Sequence, residues 1–492
     1  MYNFIKKIRA FAFCCLIILF ILPETNLKAS EITNENISGS GTKENPYILT
    51  TANDLTLLET YPTSYFELGA DIDLANATIN TISGFSGTLD GKGYSISNFS
   101  INCPNTNNIG FFSTLSSGKI TNLTLENETV SGLTHTGCLI GRITGTDVVI
   151  QNCHVINSTI TSKGSYVGGL IGYISVNLTE TISNCSVENL SLIADGIECR
   201  NIGGLIGSSM ANITRCFVTG AITADTRNIG GLLGTSADRH TVSECYADVD
   251  ILMNGTWNFT AGGLIGVNYS GTIINCFTLG SMHDTINDCY NIGGITGTFG
   301  TNYMSYVQNC YCAMNIDNDR FYSTGIAFSG TGQFEEITNC FYDRILFPHA
   351  NHETQMGRHS IQMRQQSTFT NWDFENVWAI DEGTSYPYLR NVKKPADLTG
   401  PGSAENPYLI STPEDLIYVN YDLAAHYEVI NDIDMTDYNW SRIGSRKNPF
   451  TGVINGNNYT ISNLSDDFIY YSPKCTITDL TIEYFDGETE EY

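Results

Sequence analysis

The sequence predicts an all-β fold, a parallel β-helix of about nine or ten coils, and three observations support this prediction. The first is composition: 15% of the 492 residues are charged, whereas ordinary globular domains have roughly 25%. The second and third are two short tracts, one rich in glycine and one ending in cysteine, that recur about every thirty residues. The sequence shows no apolar period of 3.6 residues, which an α-helical solenoid would need.

Composition and charge exclude two classes of protein. Hydrophobic residues make up 41% of the chain, which is too many for a disordered, tail-like protein. The formal net charge is −27, whereas nucleic-acid binding depends on Lys and Arg side chains that neutralise phosphates. We therefore expect an acidic, folded protein with no nucleic-acid partner.

The segment at positions 1–29 has the pattern of a secretory signal peptide. Lys6, Lys7 and Arg9 form a basic start, and an uninterrupted apolar run follows at positions 10–22. The run is too short for a transmembrane helix, and an uncleaved anchor is the alternative. No other run is apolar enough to span a bilayer. We therefore expect a signal peptide at 1–29, no transmembrane segment, and a secreted or cell-surface location.

A glycine-rich tract marks each repeat of the chain. Seven related tracts have their leading glycines at positions 110, 137, 168, 203, 230, 262 and 293. The runs beside them are short, β-branched and alternating, which indicates strands. A pair of glycines permits a corner with positive φ or a close approach of two backbones. The paired glycines, which we expect to be structural, are Gly168 and Gly169, Gly203 and Gly204, Gly230 and Gly231, Gly262 and Gly263, and Gly293 and Gly294.

A second recurring tract ends in cysteine. Equivalent residues of stacked coils lie about 4.8 Å apart, just beyond the roughly 3.5–4.5 Å that separates the Cβ atoms of a disulfide. The sequence therefore predicts an internal column of free thiols that pack as small apolar groups. The seven cysteines of this column, which recur once per repeat, are Cys153, Cys185, Cys216, Cys245, Cys276, Cys310 and Cys340.

The beginning of the repeat region is copied near the C-terminus. Residues 41–49 return as 402–410, and residues 71–74 return as 432–435. Thr412 before Pro413 is an N-cap signal for a short helix, which would cap the open sheet edge of a first coil. We therefore divide the chain into a β-helix at 30–395, with an N-terminal cap and a Trp- and Tyr-rich terminator, and a second, truncated lead-in unit at 396–492.

The Gly-Gly-Leu-Ile-Gly tracts resemble the GLUG motif of bacterial secreted and surface proteins. The segment from Gln366 to Leu389 resembles the terminator of that family, and the resemblance covers roughly residues 39–480. It implies a right-handed parallel β-helix of the pectin-lyase-like class, in adhesin-like or uncharacterised proteins, with no fixed catalytic residues. GLUG repeats also accompany a family of IgA-cleaving metallopeptidases, whose zinc site this sequence lacks.

Two groups of residues invite a metal but have simpler interpretations. His349, His352 and His359 cluster around Glu353, yet no second His follows His352 at the spacing of a zinc protease, so we expect an ordinary polar loop. Two pairs of carboxylates alternate on strands and offer a Ca²⁺ site with backbone carbonyls, or else a solvated strand face. These pairs are Asp71 with Asp73, and Asp432 with Asp434. We expect no resident cofactor, with Ca²⁺ as the open alternative.

The function that the sequence predicts is an adhesin-like scaffold, secreted or at the cell surface, that binds glycan or a host or other extracellular protein without catalysis. One alternative is a polysaccharide lyase or glycoside hydrolase on the same fold, which needs acids and a basic residue in one lateral groove; in the sequence the acids look scattered. Another is a purely structural module of a surface assembly. Trp257 and Tyr269 are aromatic residues that could stack on sugars or pack on the rod.

Overall fold

The protein forms a parallel β-helix. The computed structural model describes residues 38–196, 199–225, 227–237, 239–255, 259–285, 289–300, 304–317, 323–328, 335–347, 350, 356–396, 398, 402–436, 438, 440, 442–445, 449–470, 474–485 and 488–492. The predicted signal peptide at 1–29 lies outside these residues. A complete coil runs through four sheets in turn, for example from Val148–Gln151 through Thr159–Ser162 and Val167–Gly168 to Ile171–Ile174.

The four sheets of the solenoid are entirely parallel. Sheet 1 consists of Tyr47–Leu49, Tyr65–Leu68, Thr88–Asp90, Gly118–Thr121, Val148–Gln151, Ile182–Ser183, Ile213–Thr214, His240–Ser243, Gly271–Ile274, Ser305–Gln308 and Glu335–Thr338. Sheet 2 consists of Phe112–Leu115, Ile140–Ile143, Ile171–Ile174, Ile206–Ser209, Leu233–Ser236, Ile265–Asn268 and Thr296–Phe299. Sheet 3 consists of Ile72–Thr78, Ser95–Asn102, Thr124–Glu126, Thr129–Gly132, His154–Ile156, Thr159–Ser162, Ser186–Ala194, Phe217–Ala224, Tyr246–Met253, Phe277–Asp284, Tyr311–Asp317, Phe341–Asp343 and Gly357–Arg358. Sheet 4 consists of Val167–Gly168, Arg200–Gly203, Arg227–Gly230, Phe259–Gly262, Cys289–Gly293 and Ser323–Thr324.

The solenoid has more turns than the nine or ten that the repeats predict, because sheet 1 contains 11 strands. The additional strands come from the lead-in segments, such as Tyr47–Leu49 and Tyr65–Leu68, which precede the first glycine tract. The predicted N-terminal cap is present as a 3₁₀ helix at Ala52–Thr56 and an α-helix at Leu57–Thr60. Leu57 and Leu58 are buried in the main apolar core, so the helix packs on the end of the solenoid as expected.

Asparagine turns the chain at the corners of the solenoid. Asn122 and Asn152 adopt left-handed φ angles of 53° and 52°, which asparagine tolerates better than most residues. The side chains of these corners also bridge successive coils, since Asn152 Nδ2 donates to Asn122 Oδ1 at 2.9 Å. The same bond recurs where Asn339 donates to Asn309. These contacts keep the amides paired while each coil stacks on the next.

A segment that we call the strap, residues 359–396, folds back over the outside of sheet 3. It contains 3₁₀ turns at Gln362–Arg364 and Gln366–Thr368, and an antiparallel pair formed by Trp378–Ala379 and Tyr388–Leu389. This segment includes the terminator predicted from the sequence. Its aromatic residues pack against the rod in an apolar cluster of their own, separate from the interior of the coils.

The second copy of the lead-in forms a further parallel sheet with its own apolar core. The α-helix that Thr412 and Pro413 predict is present at Pro413–Tyr418, followed by a 3₁₀ turn at Val419–Tyr421. The strands of this sheet are Tyr408–Ile410, His426–Val429, Ile433–Asp434, Val453–Leu464, Thr476–Tyr484 and Thr489–Glu491, of which the last pairs antiparallel. Arg364 of the strap lies 3.8 Å from Asp422 and stacks over Tyr408, so the strap contacts this unit. Within the described residues, no helix is both long and apolar enough to cross a membrane.

Candidate binding cleft

The paired glycines lie where backbone atoms approach each other closely. A Cβ atom on Gly204 would lie 2.2 Å from the carbonyl oxygen of Gly231, and one on Gly231 would lie 2.2 Å from that of Gly263. The first glycine of each pair is equally restricted, because a Cβ on Gly230 would lie 1.9 Å from the carbonyl oxygen of Leu233. Of the two reasons that the sequence allowed, close approach is therefore the one that applies. Positive φ occurs at the asparagine corners instead.

The seven cysteines of the predicted column point into the rod. Each is at most 3% exposed, and all are free thiols. The backbone N–H of Cys185 faces the sulfur of Cys216 at 3.4 Å, and the N–H of Cys216 faces that of Cys245 at the same distance. Burial raises the pKa of the Cys245 thiol well above its ordinary value, so the thiol stays protonated at neutral pH. These cysteines fill the core as small apolar groups.

Of the three histidines of the possible zinc cluster, the structure describes His359 alone. His349, His352 and Glu353 lie outside the described residues, as does Trp257. His359 is 4% exposed, and burial together with Arg344 and Arg364 lowers its pKa to about 3. Among the described residues, no three His, Cys, Asp or Glu side chains are grouped closely enough to hold a metal ion.

The carboxylates of the possible calcium sites accept hydrogen bonds that join neighbouring coils. The pairs in question are Asp71 with Asp73, and Asp432 with Asp434. Asp73 accepts from Asn98 Nδ2 at 3.0 Å, and this bond lowers its pKa. Asp434 accepts from Asn463 Nδ2 at 2.8 Å, at the same place in the second copy. A structural role thus accounts for both aspartates, and Ca²⁺ binding stays a prediction.

Sequence reasoning missed a column of side chains on the outside of sheet 3. These residues, which we call the outer column, pair across successive strands, and from His154 onward each directly follows a cysteine of the internal column. Its members are Ser95, Thr124, His154, Ser186, Phe217, Tyr246, Phe277, Tyr311 and Phe341. The column changes from polar to aromatic at Phe217, and the strap covers the aromatic part. The signal was present in the sequence as an aromatic residue after each later cysteine.

The strap is held on the outer column by both rings and hydrogen bonds. Trp378 is fully buried, with its ring centroid 6.1 Å from that of Tyr311. The Tyr311 hydroxyl donates to the Pro387 carbonyl at 2.7 Å, and the Tyr386 hydroxyl donates to Asp343 at 2.6 Å. Because each of these buried polar tips has a partner, the aromatic rings can be buried without loss of hydrogen bonding.

A cleft of about 640 Å³ opens where the strap ends on sheet 3. Phe217 and Tyr246 line it, and the strap contributes Lys393, Lys394, Pro395 and Ala396. The rod contributes further side chains, which are Glu188, Asn189, Leu190, Thr219, Ala221, Asp248, Val249 and Asp250, with the backbone of Gly220. Its volume is within the range of roughly 300–1,000 Å³ typical of small-molecule sites.

Charged and polar groups converge on this cleft. Lys393 Nζ forms an ion pair with Glu188 across the cleft, and Ser281 Oγ donates to Asp250 at 2.6 Å. The Tyr246 hydroxyl is buried without a hydrogen-bond partner. Burial and the nearby Asp248 and Glu188 carboxylates raise the pKa of this phenol, so it remains a neutral donor. The cleft is therefore lined by carboxylate acceptors, while the unsatisfied Tyr246 hydroxyl is buried beside it.

The expectation that the acids are scattered is wrong at this place. Asp248 and Asp250 are two residues apart on one strand, so both face outward. Glu188 flanks Thr219, which pairs with Asp248, and this arrangement places the two carboxylates two coils apart. Sequence separation concealed this proximity, because the long stretch of chain between Glu188 and Asp248 forms only two turns of the solenoid.

Comparisons with known proteins give partial relatives. No family model matches the chain. Over 247 residues, 46% of this chain and 3% of the relative, it is 33% identical to halomucin of Haloquadratum walsbyi. Over 401 residues, 71% of this chain and 45% of the relative, it is 28% identical to a protein of Evansella cellulosilytica named as a Gly-rich membrane protein. The chain thus spans less than half the length of either relative.

Two solved structures share part of the strand arrangement. One is a protein of Bacteroides ovatus named as an immunoglobulin A1 protease, with 18% identity, a TM-score of 0.42, and coverage of 72% of this chain and 95% of that one. The other, named IgA1 protease, has 18% identity, a TM-score of 0.37, and coverage of 60% and 21%. At these values neither similarity bears on function.

Proposed function

We propose that the chain is a secreted or cell-surface β-helical scaffold of the GLUG-repeat type, which binds glycan without catalysis. The observation that carries this proposal is the cleft between the strap and sheet 3. The name of the Evansella relative, a Gly-rich membrane protein, supports a place at the cell surface. The acidic composition and the extended repeat favour a passive scaffold over a nucleic-acid or membrane-inserting protein.

The chemistry of the cleft favours glycan over a protein side chain as its occupant. Sugar hydroxyls donate to carboxylates and accept from ammonium groups, and the cleft offers Asp248, Asp250 and Lys394. The volume of the cleft suits one or a few sugar residues.

A polysaccharide lyase or hydrolase is the second candidate, because three carboxylates and two lysines line one lateral cleft. Against catalysis, Glu188 is already paired with Lys393 and also accepts from Ser186 at 3.2 Å. Asp250 is held by Ser281. Carboxylates used in this way position the strap and the ligand, and we therefore favour binding.

Affinity electrophoresis tests this proposal. The chain lacking positions 1–29 is run in gels cast with plant, mucosal and bacterial polysaccharides. We expect retardation without cleared zones in at least one gel. Cleared zones after incubation would establish the enzyme instead, and free migration in every gel would point to a protein partner.

Variants locate the binding. Glu188→Gln and Asp250→Asn should reduce retardation, since both residues line the cleft. Glu126→Gln is the matched control, because Glu126 and Glu188 pair with the same residue, Ile156, from opposite sides and only Glu188 lines the cleft. Equal effects of the Glu126 and Glu188 variants would contradict the assignment of the cleft.

A further inference from the structure

One corner of the solenoid departs from its own repeat. The residue two positions before the leading glycine of each glycine-rich tract adopts a left-handed φ between 55° and 64° in five successive coils. These residues are Asn108, His135, Tyr166, Asn201 and Asn228. Asparagine suits this conformation, whereas a bulky residue such as Tyr166 is strained in it. Backbone strain of this kind tends to be retained at functional positions. Replacing Tyr166 by asparagine would remove the strain, so the presence of tyrosine there suggests a function.

The departing residues form a stack of rings on the surface. Tyr166 and Tyr173 lie with their centroids 4.5 Å apart and their planes inclined by 27°. His135 stacks on Tyr173 at 5.3 Å. Arg142 lies beside them, with its guanidinium carbon 5.5 Å from the Tyr173 ring centroid. All four side chains are partly exposed, and we call this group the aromatic platform.

The platform is confined to two coils. On sheet 2, Arg142 pairs with Tyr173, and the flanking residues at the same register are Thr114 on one side and Ser208 on the other. Further along the rod the register contains Thr235. Short side chains therefore surround the platform, which leaves its face open along the rod. The stacking of coils does not require aromatic residues here, because the same sheet forms without them.

Arg142 lacks an anion. Its Nε is buried and has no hydrogen-bond partner. Among the residues that the structure describes, no carboxylate lies within 4 Å of its nitrogen atoms. The chain has 51 acidic and only 24 basic residues, yet none of the described carboxylates pairs with Arg142. An external anion can therefore pair with this guanidinium beside the aromatic rings.

His135 offers an acceptor beside this cation. Its Nδ1 donates to Asn108 Oδ1 at 2.8 Å, which leaves Nε2 of the neutral ring with its lone pair. Burial, and secondarily Arg142, lowers the pKa of His135 to about 4, so the ring is neutral at ordinary pH. The platform therefore combines partly exposed aromatic rings, a cation and a neutral acceptor.

We propose that His135, Arg142, Tyr166 and Tyr173 form a subsite for a pyranose that carries a carboxylate, within an acidic polysaccharide. The C–H face of the sugar lies on the tyrosine rings, its carboxylate pairs with Arg142, and a hydroxyl donates to His135 Nε2. This inference deepens the proposed function and rests on it, but it names a different surface, on sheets 2 and 4 rather than on the cleft of sheet 3.

The test measures binding of the chain lacking positions 1–29 to polygalacturonate and to polysialate by titration calorimetry, each beside its carboxyl-reduced form. We expect binding to at least one acidic polymer, at least about tenfold weaker binding to its reduced form, and the same loss in Arg142→Gln. Whichever acidic polymer binds identifies the source of the carboxylate. Arg215→Gln, which alters an arginine at another corner, should bind as the unaltered chain does.

Tyr166→Asn separates binding from folding. The variant places at this corner the asparagine that neighbouring coils have there, so we expect an unchanged or higher melting temperature together with weaker binding. The inference is overturned if the acidic and reduced polymers bind equally, if neither acidic polymer binds, or if Arg142→Gln and Tyr166→Asn bind as the unaltered chain does. Loss of binding in the cleft variants alone would retain the proposed function and reject the platform.

Discussion

The two halves of sheet 3 have the same backbone arrangement, but only the second half is covered by the strap. In the first half, Ser95, Thr124 and His154 of the outer column are partly exposed. In the second half, the column is aromatic and buried, with the Tyr246 and Phe277 rings 4.8 Å apart and inclined by only 13°. In both halves the interior contains the same recurring glycine and cysteine positions. The repeat therefore determines which residues fill the inside of the rod. The outward-facing residues differ from coil to coil, and they determine whether a coil is covered by the strap or exposes a binding surface.

The largest effect should come from the covered part of the outer column. Tyr311→Ala removes a fully buried ring and its bond to Pro387, and we expect a loss of about 3–5 kcal/mol in the free energy of unfolding. His154→Ala, at the same register in the uncovered half, should cost less than about 1 kcal/mol. Chemical denaturation measures both. Similar losses at the two positions would show that the strap does not distinguish the halves.

A buried acid in the uncovered half should make stability depend on pH. Burial raises the pKa of Glu128 from 4.5 to about 7, with the Ser158 hydroxyl and the Cys138 thiol beside it. Because the folded state holds this proton more tightly, stability falls as pH rises from about 4.5 to about 7 and is constant beyond that range for this group. Glu128→Gln should add up to about 3 kcal/mol at pH 8 and nothing at pH 4.

The measurement for this acid is urea denaturation of both proteins at the two pH values. Leu190 occupies the same register two coils later, where the interior column is apolar, so an effect of pH on Leu190→Met is not expected. An equal gain from Glu128→Gln at pH 4 and pH 8 would contradict the buried, protonated carboxyl.

Substitutions in the glycine pairs should destabilise both halves to the same extent. Gly169→Ala lies in the uncovered half and Gly263→Ala in the covered half, and each new Cβ would lie 2.2 Å from a carbonyl oxygen of the next coil. We expect each variant to lose about 1–3 kcal/mol, because the coils must move apart at that point. Thermal melting of the two variants checks this equality. A tolerated substitution in only one half would show that coil spacing varies along the rod.

The smallest effect should come from the ion pair at the end of the strap. The Lys393 side chain is 65% exposed, so solvent screens its pairing with Glu188. Lys393→Met should change stability by less than about 1 kcal/mol, and salt at about 0.5 M should abolish the difference. Denaturation at low and high salt measures it. A large, salt-independent loss would mean that Lys393 has a packing role in holding the strap.

The repeats predicted the inside of this molecule well. Cysteines at one register, such as Cys216 and Cys245, had to point the same way once the coils stacked, and they are buried together. The glycines were identified as structural, but the sequence could not decide between positive φ and close approach. The answer depends on where neighbouring carbonyl oxygens lie, as at Gly204, and only the stacked coils reveal it.

The outside was harder to predict, because it depends on contacts between distant segments. Nothing local in the strap indicates that Trp378 lies against Tyr311, although both are aromatic. The cleft joins Glu188 to Lys393, which are far apart in the sequence. The geometry of the cleft depends on how the strap folds, and the spacing of residues in the sequence does not predict that fold.

The central claim is that the outward-facing positions of the rod, and not its repeated interior, carry its binding surfaces. Hydroxyl-radical footprinting, with and without whichever of polygalacturonate and polysialate binds in the calorimetry, tests it most directly, because tyrosines report on their own exposure. We expect protection of the partly exposed Tyr166 and Tyr173, and no change at Tyr269, which is 50% exposed and lies apart from both proposed sites. Protection of Tyr269 alone, or no protection of Tyr166 and Tyr173, would contradict the claim.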